Sequence, residues 1–376
     1  MKLLILDTKP LRRGAQIFLS DLARELIRRG VTVKKVYLYT VTGTGRLDLL
    51  KDDEVLGGNE NHFFEKIPTV HPVVLAKLVR SMNNYQPDVV LLNGSRTLKY
   101  AAAAKWFIDN RIKLVYRVID SVSFWNPGKV KRTYYKKFVL PAIDAAIGVS
   151  AASLADMIGA YEFNKPTAVI HRAIDPNKFT AIGGKLESRK QLGIDGSLPV
   201  VCFVGNLTRQ KRPDRFVDVV SKLRQQLPGI QGWIIGDGPL RSDTEHKIQT
   251  TGQQGNIRMW GYQSDVGTFL SAADLLLLPS ESEGLPGVVL EAGYLGVPAV
   301  ATDVGGIREC LQSGKSGYIV PNFDFDAFVG SAQHLLTDSE LRQRFSAEAK
   351  TLVSSGFTIT NVATKYQDFL QKIISG

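Results

Sequence analysis

The chain has 376 residues, 44% of them hydrophobic and 22% charged, with 47 Lys and Arg against 36 Asp and Glu. That length calls for two domains of roughly 100–200 residues each, and the balance excludes a disordered or fibrous chain. No apolar run nears the roughly 18–20 residues of a membrane span, and Cys202 and Cys310 make neither a disulfide framework nor a metal set, as in a reducing cytoplasm.

The N-terminal apolar run Leu3–Leu6 is too short for a signal-peptide core, and Lys2–Asp7 reads as a first strand. It leads into a helix over residues 15–29, with Phe18, Leu22, Leu26 and Ile27 on one apolar face and Gly30 closing it. Gly14 stands at the entry of that helix, where free amides and a missing side chain offer an anion site. Residues 43–45, Gly-Thr-Gly, are too short and lack the following helix of a dinucleotide fingerprint. Further strands are expected at residues 31–39, 89–93, 114–118, 145–149 and 167–171. After the strand at 114–118, Asp120 and Ser121 either line a ligand site or cap a loop. Residues 129–138, KVKRTYYKKF, admit three readings: a solvated helix with core tyrosines, an interfacial helix on anionic lipid, or an RNA contact.

Charge is uneven along the chain. Residues 1–180 carry 28 Lys and Arg against 16 Asp and Glu, a net of +12, whereas residues 181–376 carry 19 against 20. The first half therefore either meets an anionic partner or is simply a basic, soluble surface.

Residues 174–199 are rich in Gly, Lys, Ser and Pro and low in apolar pattern, and read as a break. The expected division is a first domain at 1–175, a linker at 176–198, a second domain at 199–360 and a final helix at 361–376. The second domain repeats the alternation, with strands at 200–204, 232–235, 257–260, 275–278 and 299–301 and helical segments between them. Apolar strands separated by helices imply parallel sheets covered on both faces. After its first strand come Gly205, Asn206, Arg209 and Lys211, a loop whose basic side chains reach toward phosphate at the sheet's carboxyl edge. Asp324-Phe325-Asp326 leads into a helix and reads as its cap, not a metal site.

Residues 279–302 carry the densest signal. Glu283 lies on a loop after the buried strand Leu275–Leu278, and Glu291 lies on the helix that follows Gly284, Leu285, Pro286 and Gly287. Two carboxylates with free amides between them, including that of Val288, can hold a polyhydroxyl group and a phosphate together. Glu283-Gly284-Leu285-Pro286, Glu291-Ala292, Gly296-Val297-Pro298 and Thr302 resemble the E-x7-E signature of the family 4 retaining glycosyltransferases, bacterial polysaccharide-type enzymes of group 1.

The resemblance implies the GT-B fold: two Rossmann-like, doubly wound parallel-sheet domains facing a central cleft, the last helix returning to the first domain. It implies that Glu283 faces the transferred sugar, that Glu291 accepts from the ribose hydroxyls, and that amides of Gly287 and Val288 meet sugar and diphosphate. Lys211, six positions after Gly205, matches the lysine that neutralises the leaving diphosphate. Asn206 stands where the family commonly has arginine, and Arg209 is the local substitute. Tyr262, after Gly261, falls in the segment near the base; Gly14, in place of a Gly-Gly-Ala-Glu entry, falls on the acceptor side with Asp120 and Ser121.

The implied activity is retaining, metal-independent transfer of a hexosyl unit from a nucleotide-diphosphate sugar of UDP or GDP type, with no cofactor and no nucleic acid. The acceptor would be a glycan, lipid-linked or otherwise anionic, in cell-surface polysaccharide assembly. The location would be cytoplasmic, with peripheral contact to anionic membrane through the basic half. A nucleotide-sugar epimerase of the same fold and a non-catalytic sugar or nucleic-acid binder are the alternatives.

Overall fold

The computed structural model describes residues 1–376 apart from 42–44, 59–69, 127, 181 and 195. Residues 43 and 44 of the Gly-Thr-Gly run thus lie outside the described residues. The chain forms two compact units, Met1–Ala173 with Ile359–Gly376, and Ile174–Thr358.

In the first unit, β1 (Lys2–Asp7), β2 (Thr32–Tyr37), β3 (Glu54–Val55), β4 (Val89–Asn93), β5 (Lys113–Val118), β6 (Ala145–Gly148) and β7 (Thr167–Val169) form one sheet in the order β3-β2-β1-β4-β5-β6-β7. Every pairing is parallel. The central strands read as unbroken apolar runs because both faces are covered. Leu4, Leu6, Val90 and Leu92 pack toward the helix Pro72–Tyr85, while Leu3, Ile5, Val89 and Leu91 pack toward the helix Gly14–Arg28. The final helix Ile359–Ser375 belongs to this second face. Its stripe of Val362, Tyr366 and Leu370 is buried there, and the rings of Tyr366 and Phe18 stand 6.0 Å apart. Burying side chains of this size contributes roughly 1.5–3 kcal/mol each, which is what holds the chain's end on its beginning.

In the second unit, β8 (Val200–Val204), β9 (Gln231–Ile235), β10 (Ile257–Gly261), β11 (Leu275–Leu278), β12 (Ala299–Thr302) and β13 (Gly317–Val320) form a parallel sheet in the order β10-β9-β8-β11-β12-β13. The stretch expected as linker carries the turn Pro176–Phe179 and the helix Lys185–Gln191, and it packs into this unit. Its polar composition conceals a buried anchor. Arg189 is 2% exposed and donates to Asp274 Oδ2 at 2.9 Å, to the Ala272 carbonyl at 2.9 Å and to the Gly196 carbonyl at 2.6 Å.

Each sheet changes winding direction once, between β1 and β4 and between β8 and β11. In open α/β sheets, ligands settle outside the carboxyl ends of the strands at such a point.

Candidate active site

At the β8/β11 switch point the loops leaving the two strands are stitched together. The Glu281 amide donates to the Gln210 carbonyl at 2.8 Å, and Gln210 Nε2 donates to the Ser282 carbonyl at 2.9 Å. This brings Lys211 onto Glu283, 72 positions away. Lys211 Nζ donates to both carboxylate oxygens, at 2.6 and 2.8 Å, and Ser280 Oγ donates to Oε1 at 2.7 Å. The Lys211 side chain is 20% exposed and that of Glu283 only 5%, so the ammonium is the half of the pair that faces outward. The lysine stem runs past Gly205, its methylenes 3.9 Å from where a β-carbon there would sit, an ordinary contact distance.

The loop holding Glu283 is braced from the other side. The Gly306 amide donates to the Gly284 carbonyl at 2.9 Å. Gly305 has φ +55°, and a β-carbon on it would lie 1.6 Å from the Glu283 carbonyl oxygen. Only glycine fits that left-handed turn at that approach. The helix carrying Glu291 runs Gly287–Tyr294, with Pro286 as its N-cap at φ −73° and ψ 110°. Leu295 closes it and Gly296 follows at φ +74°. Leu285 and Gly287 are buried, and Val288 and Glu291 half-buried, on the loop and helix that follow Glu283.

The basic loop after β8 divides its arginines by role. Arg209 is 90% exposed at its side chain and reaches Glu281 only at 4.0 Å. Arg212 sits in the left-handed region at φ 54° and forks onto Asp214, with Nη1 also donating to Glu281. Burial by itself would raise the Asp214 carboxyl, but the Arg212 hydrogen bonds prevail and hold it below its ordinary range. Arg215 lies 4.2 Å from the Phe323 ring centroid and also faces Glu281. Asn206 is exposed beside half-buried Gly205. Tyr262 is 42% exposed just beyond β10, after Gly261 at φ +68°.

The β1/β4 switch point of the first unit has a different chemistry. Asp7 is 3% exposed and accepts from Asn93 Nδ2 at 2.7 Å, from Gln16 Nε2 at 3.0 Å and from the Thr8 amide at 2.6 Å. Arg117 donates to Asn93 Oδ1 at 2.9 Å and to the Tyr366 hydroxyl at 2.9 Å, and lies 4.6 Å from the Phe18 ring centroid. Loss of hydration outweighs these donors and pushes the Asp7 carboxyl up to about 6. Nothing in the sequence pattern announces this cluster; a lone arginine within the apolar strand KLVYRV is the one available signal.

The three residues expected on the acceptor side are engaged locally. Gly14 begins its helix with its carbonyl accepting from Arg172 Nη2 at 3.0 Å, and a β-carbon there would meet that guanidinium at 2.8 Å. Asp120 accepts from Trp125 Nε1 at 2.8 Å, and Ser121 caps the turn Val122–Trp125 while donating to Asp156 at 3.0 Å. Ser121 is thus the cap of this turn, while Asp120 holds the Trp125 indole N–H. Asp324 accepts from the Ala327 amide at 3.0 Å as a helix cap.

Both halves of the chain match known families. A model of the family described as Glycosyltransferase Family 4 matches residues 12–178, and one described as Glycosyl transferases group 1 matches residues 184–352. Among curated relatives, an alpha-D-kanosaminyltransferase of Streptomyces kanamyceticus is 30% identical over 178 residues, which are 47% of this chain and 46% of that protein. A lipopolysaccharide core biosynthesis glycosyltransferase, LpsE of Rhizobium meliloti, is 29% identical over 196 residues, 52% of this chain and 56% of the relative. The chain thus spans about half the length of these curated relatives. Among solved structures, HepE of Anabaena in complex with UDP and glucose superposes with a TM-score of 0.83 at 20% identity, covering 99% of this chain and 100% of that one. That likeness concerns the fold. With two consecutive family models matched across its two Rossmann-like units, the chain belongs to the group 1, family 4 glycosyltransferases of GT-B fold.

Proposed function

We propose that this protein is a retaining hexosyltransferase that moves a sugar from a nucleotide-diphosphate donor to a glycan acceptor. The observation that carries the reading is the Lys211–Glu283 pair at the β8/β11 switch point, with Glu291 on the helix beyond. Glu291 accepts from the ribose hydroxyls, and the amides of Gly287 and Val288 meet the sugar and diphosphate. Tyr262 lies toward the base. Gly205, Asn206, Gly284 and Leu285 shape the floor.

A diphosphate entering this loop gives Lys211 a second anion, and the pair opens in its favour. Glu283, released from the ammonium, takes hydrogen bonds from the sugar hydroxyls. As the bond between the anomeric carbon and the phosphate oxygen breaks, negative charge grows on the leaving diphosphate. Lys211, with Arg209 beside it, stabilises that charge from a pre-placed position. The acceptor hydroxyl attacks on the face the diphosphate leaves, and its proton passes to the departing phosphate oxygen. The charge that a divalent cation would supply comes from the lysine, so the reading needs neither metal nor cofactor.

The acceptor is a glycan of cell-surface polysaccharide assembly, lipid-linked or otherwise anionic, met by the basic first unit with Gly14, Asp120 and Ser121 on its side. The lipopolysaccharide core biosynthesis role of LpsE and the net charge of +12 over residues 1–180 support that acceptor class. The UDP held by HepE favours a uridine donor, with guanosine as the rival. Among the described residues no helix is long and apolar enough to cross a membrane; the reading places the enzyme on the cytoplasmic side, where nucleotide sugars are made.

A thermal-shift panel of UDP, GDP, ADP and their sugars tests this on the wild type and on Glu291→Ala. A ligand at about 100 times its dissociation constant stabilises by roughly 2.7 kcal/mol. One base is expected to shift the wild type, with the shift reduced in the variant. No shift with any nucleotide, with or without acceptor glycan and magnesium, overturns the reading.

A further inference from the structure

We propose that the second unit carries a separate binding site for a small phosphorylated sugar, in a cavity at the amino edge of its sheet. The cavity opens beside Asp274 and Pro298, which precede β11 and β12, whereas Lys211 and Glu283 stand beyond the carboxyl ends of β8 and β11. The four residues of β11, roughly 13 Å of strand, lie between the two places. The cavity has a volume of about 560 Å³, within the roughly 300–1,000 Å³ of small-molecule sites.

Its wall is built around one buried carboxylate that has more cations than it can neutralise. Asp274 accepts from Arg189 Nη2 at 2.9 Å, from the Val200 amide at 2.8 Å and from Lys185 Nζ. Arg342 Nε stands 3.7 Å from the same carboxylate. Lys350, exposed two turns further along the helix Ser339–Gly356, lines the cavity as well. Lys185, Arg342 and Lys350 against Asp274 leave the lining at +2, with Arg189 behind it. Glu187, whose stem packs beside Gly183, is not part of the lining. Fixed positive charge in a concave site between low-dielectric walls concentrates anions there.

The cations are held in place before any ligand arrives. Arg342 Nη1 donates to the Leu335 and Leu336 carbonyls at 2.7 and 3.0 Å, and Lys185 is tied to Asp274. Side chains already fixed lose little freedom on binding, so less of the attraction is spent on ordering them. The packing around Asp274 is satisfied by Arg189 and the Val200 amide, which leaves the other cations as surplus. The same cavity offers partners for a sugar. The Phe179 and Tyr294 rings, 5.5 Å apart and both half-buried, form an apolar wall for the C–H face of a pyranose. The Ser346 hydroxyl and the Gln343 amide, on the helix that carries Arg342 and Lys350, can take its hydroxyls.

Calorimetric titration of glucose 6-phosphate into the full chain, beside inorganic phosphate and glucose, tests the proposal. Glucose 6-phosphate is expected to bind at one site, with an affinity that falls as salt rises, and roughly tenfold or more tightly than either fragment. The double variant Gln343→Glu with Lys350→Glu changes two exposed positions and turns the lining from +2 to −1. It is expected to keep its urea midpoint and to bind glucose 6-phosphate roughly tenfold or more weakly. Absence of binding, equal affinity for inorganic phosphate (an adventitious ion only), or unchanged binding by the double variant would each overturn the proposal. Lys211→Ala is expected to bind glucose 6-phosphate as wild type does, so this site and the donor reading fail separately. Loss of binding in Lys211→Ala would place the ligand at the β8/β11 loop and overturn the separate site.

Discussion

The two switch points of this molecule share a topology and differ in chemistry. At β1/β4 a carboxyl is sealed under two side-chain amides, with Asp7 3% exposed and held by Asn93 and Gln16. At β8/β11 a carboxylate meets an ammonium that remains 20% exposed. The first arrangement raises its acid to about 6 and meets it with uncharged side-chain amides. The second stores opposite charges at the sheet edge, where an incoming anion can exchange with one of them. Topology thus provides two equivalent positions, and in the proposed function it is side-chain charge that assigns the diphosphate to the second.

The sharpest way to break this contrast is Lys211→Ala. Loss of a pre-placed charge at the leaving group is expected to lower kcat by roughly 10²–10³-fold. It would also leave Glu283, with 5% side-chain exposure, facing Ser280 without its counter-charge. Single-turnover rates with the identified donor check it; a rate within a few-fold of wild type would remove Lys211 from the diphosphate.

A smaller effect is expected from Asp7→Asn, and it concerns stability. The folded-state pKa of Asp7 is raised from 3.8 to about 6, so the native state binds this proton more tightly than the unfolded chain does. Its contribution is full below about pH 4 and is lost as pH rises through about 6. At 1.36 kcal/mol per unit, the loss is roughly 2–3 kcal/mol. The amide of the variant cannot titrate, so the difference in urea midpoint between variant and wild type should change across that window and be flat above it. A difference independent of pH would mean that Asp7 is already ionised at pH 4.

The smallest effect is expected from Arg209→Ala. A side chain 90% exposed and 4.0 Å from its nearest carboxylate is screened by water and salt. Donor affinity should fall by less than about fivefold, and less at high salt. A loss as large as that of Lys211→Ala would show that the loop closes over the diphosphate and carries Arg209 inward.

What can be read without the structure follows from how local each feature is. The segment from Glu283 to Thr302 is contiguous, so its glycines, prolines and carboxylates show as a string. The alternation of apolar runs with helical stripes is similarly visible. The Asp7, Asn93, Arg117 and Tyr366 cluster draws on three strands and the last helix, and no local pattern records such a meeting. The same holds for Arg189 with Asp274, whose buried pairing turns an apparent linker into part of the second unit. Lys211 and Glu283 both stand out in the sequence as site residues, but each alone; their hydrogen bond is a consequence of β8 and β11 lying side by side.

The most direct test of the central claim, that Lys211 belongs to the diphosphate and Glu283 to the sugar, is calorimetric titration of the preferred nucleoside diphosphate into wild type, Glu283→Gln and Lys211→Ala. Removing the carboxylate that competes for the ammonium should leave Glu283→Gln binding the diphosphate at least as tightly as wild type, while Lys211→Ala binds it roughly tenfold or more weakly. If Glu283→Gln instead loses the nucleotide and Lys211→Ala retains it, the assignment of the two charges is contradicted.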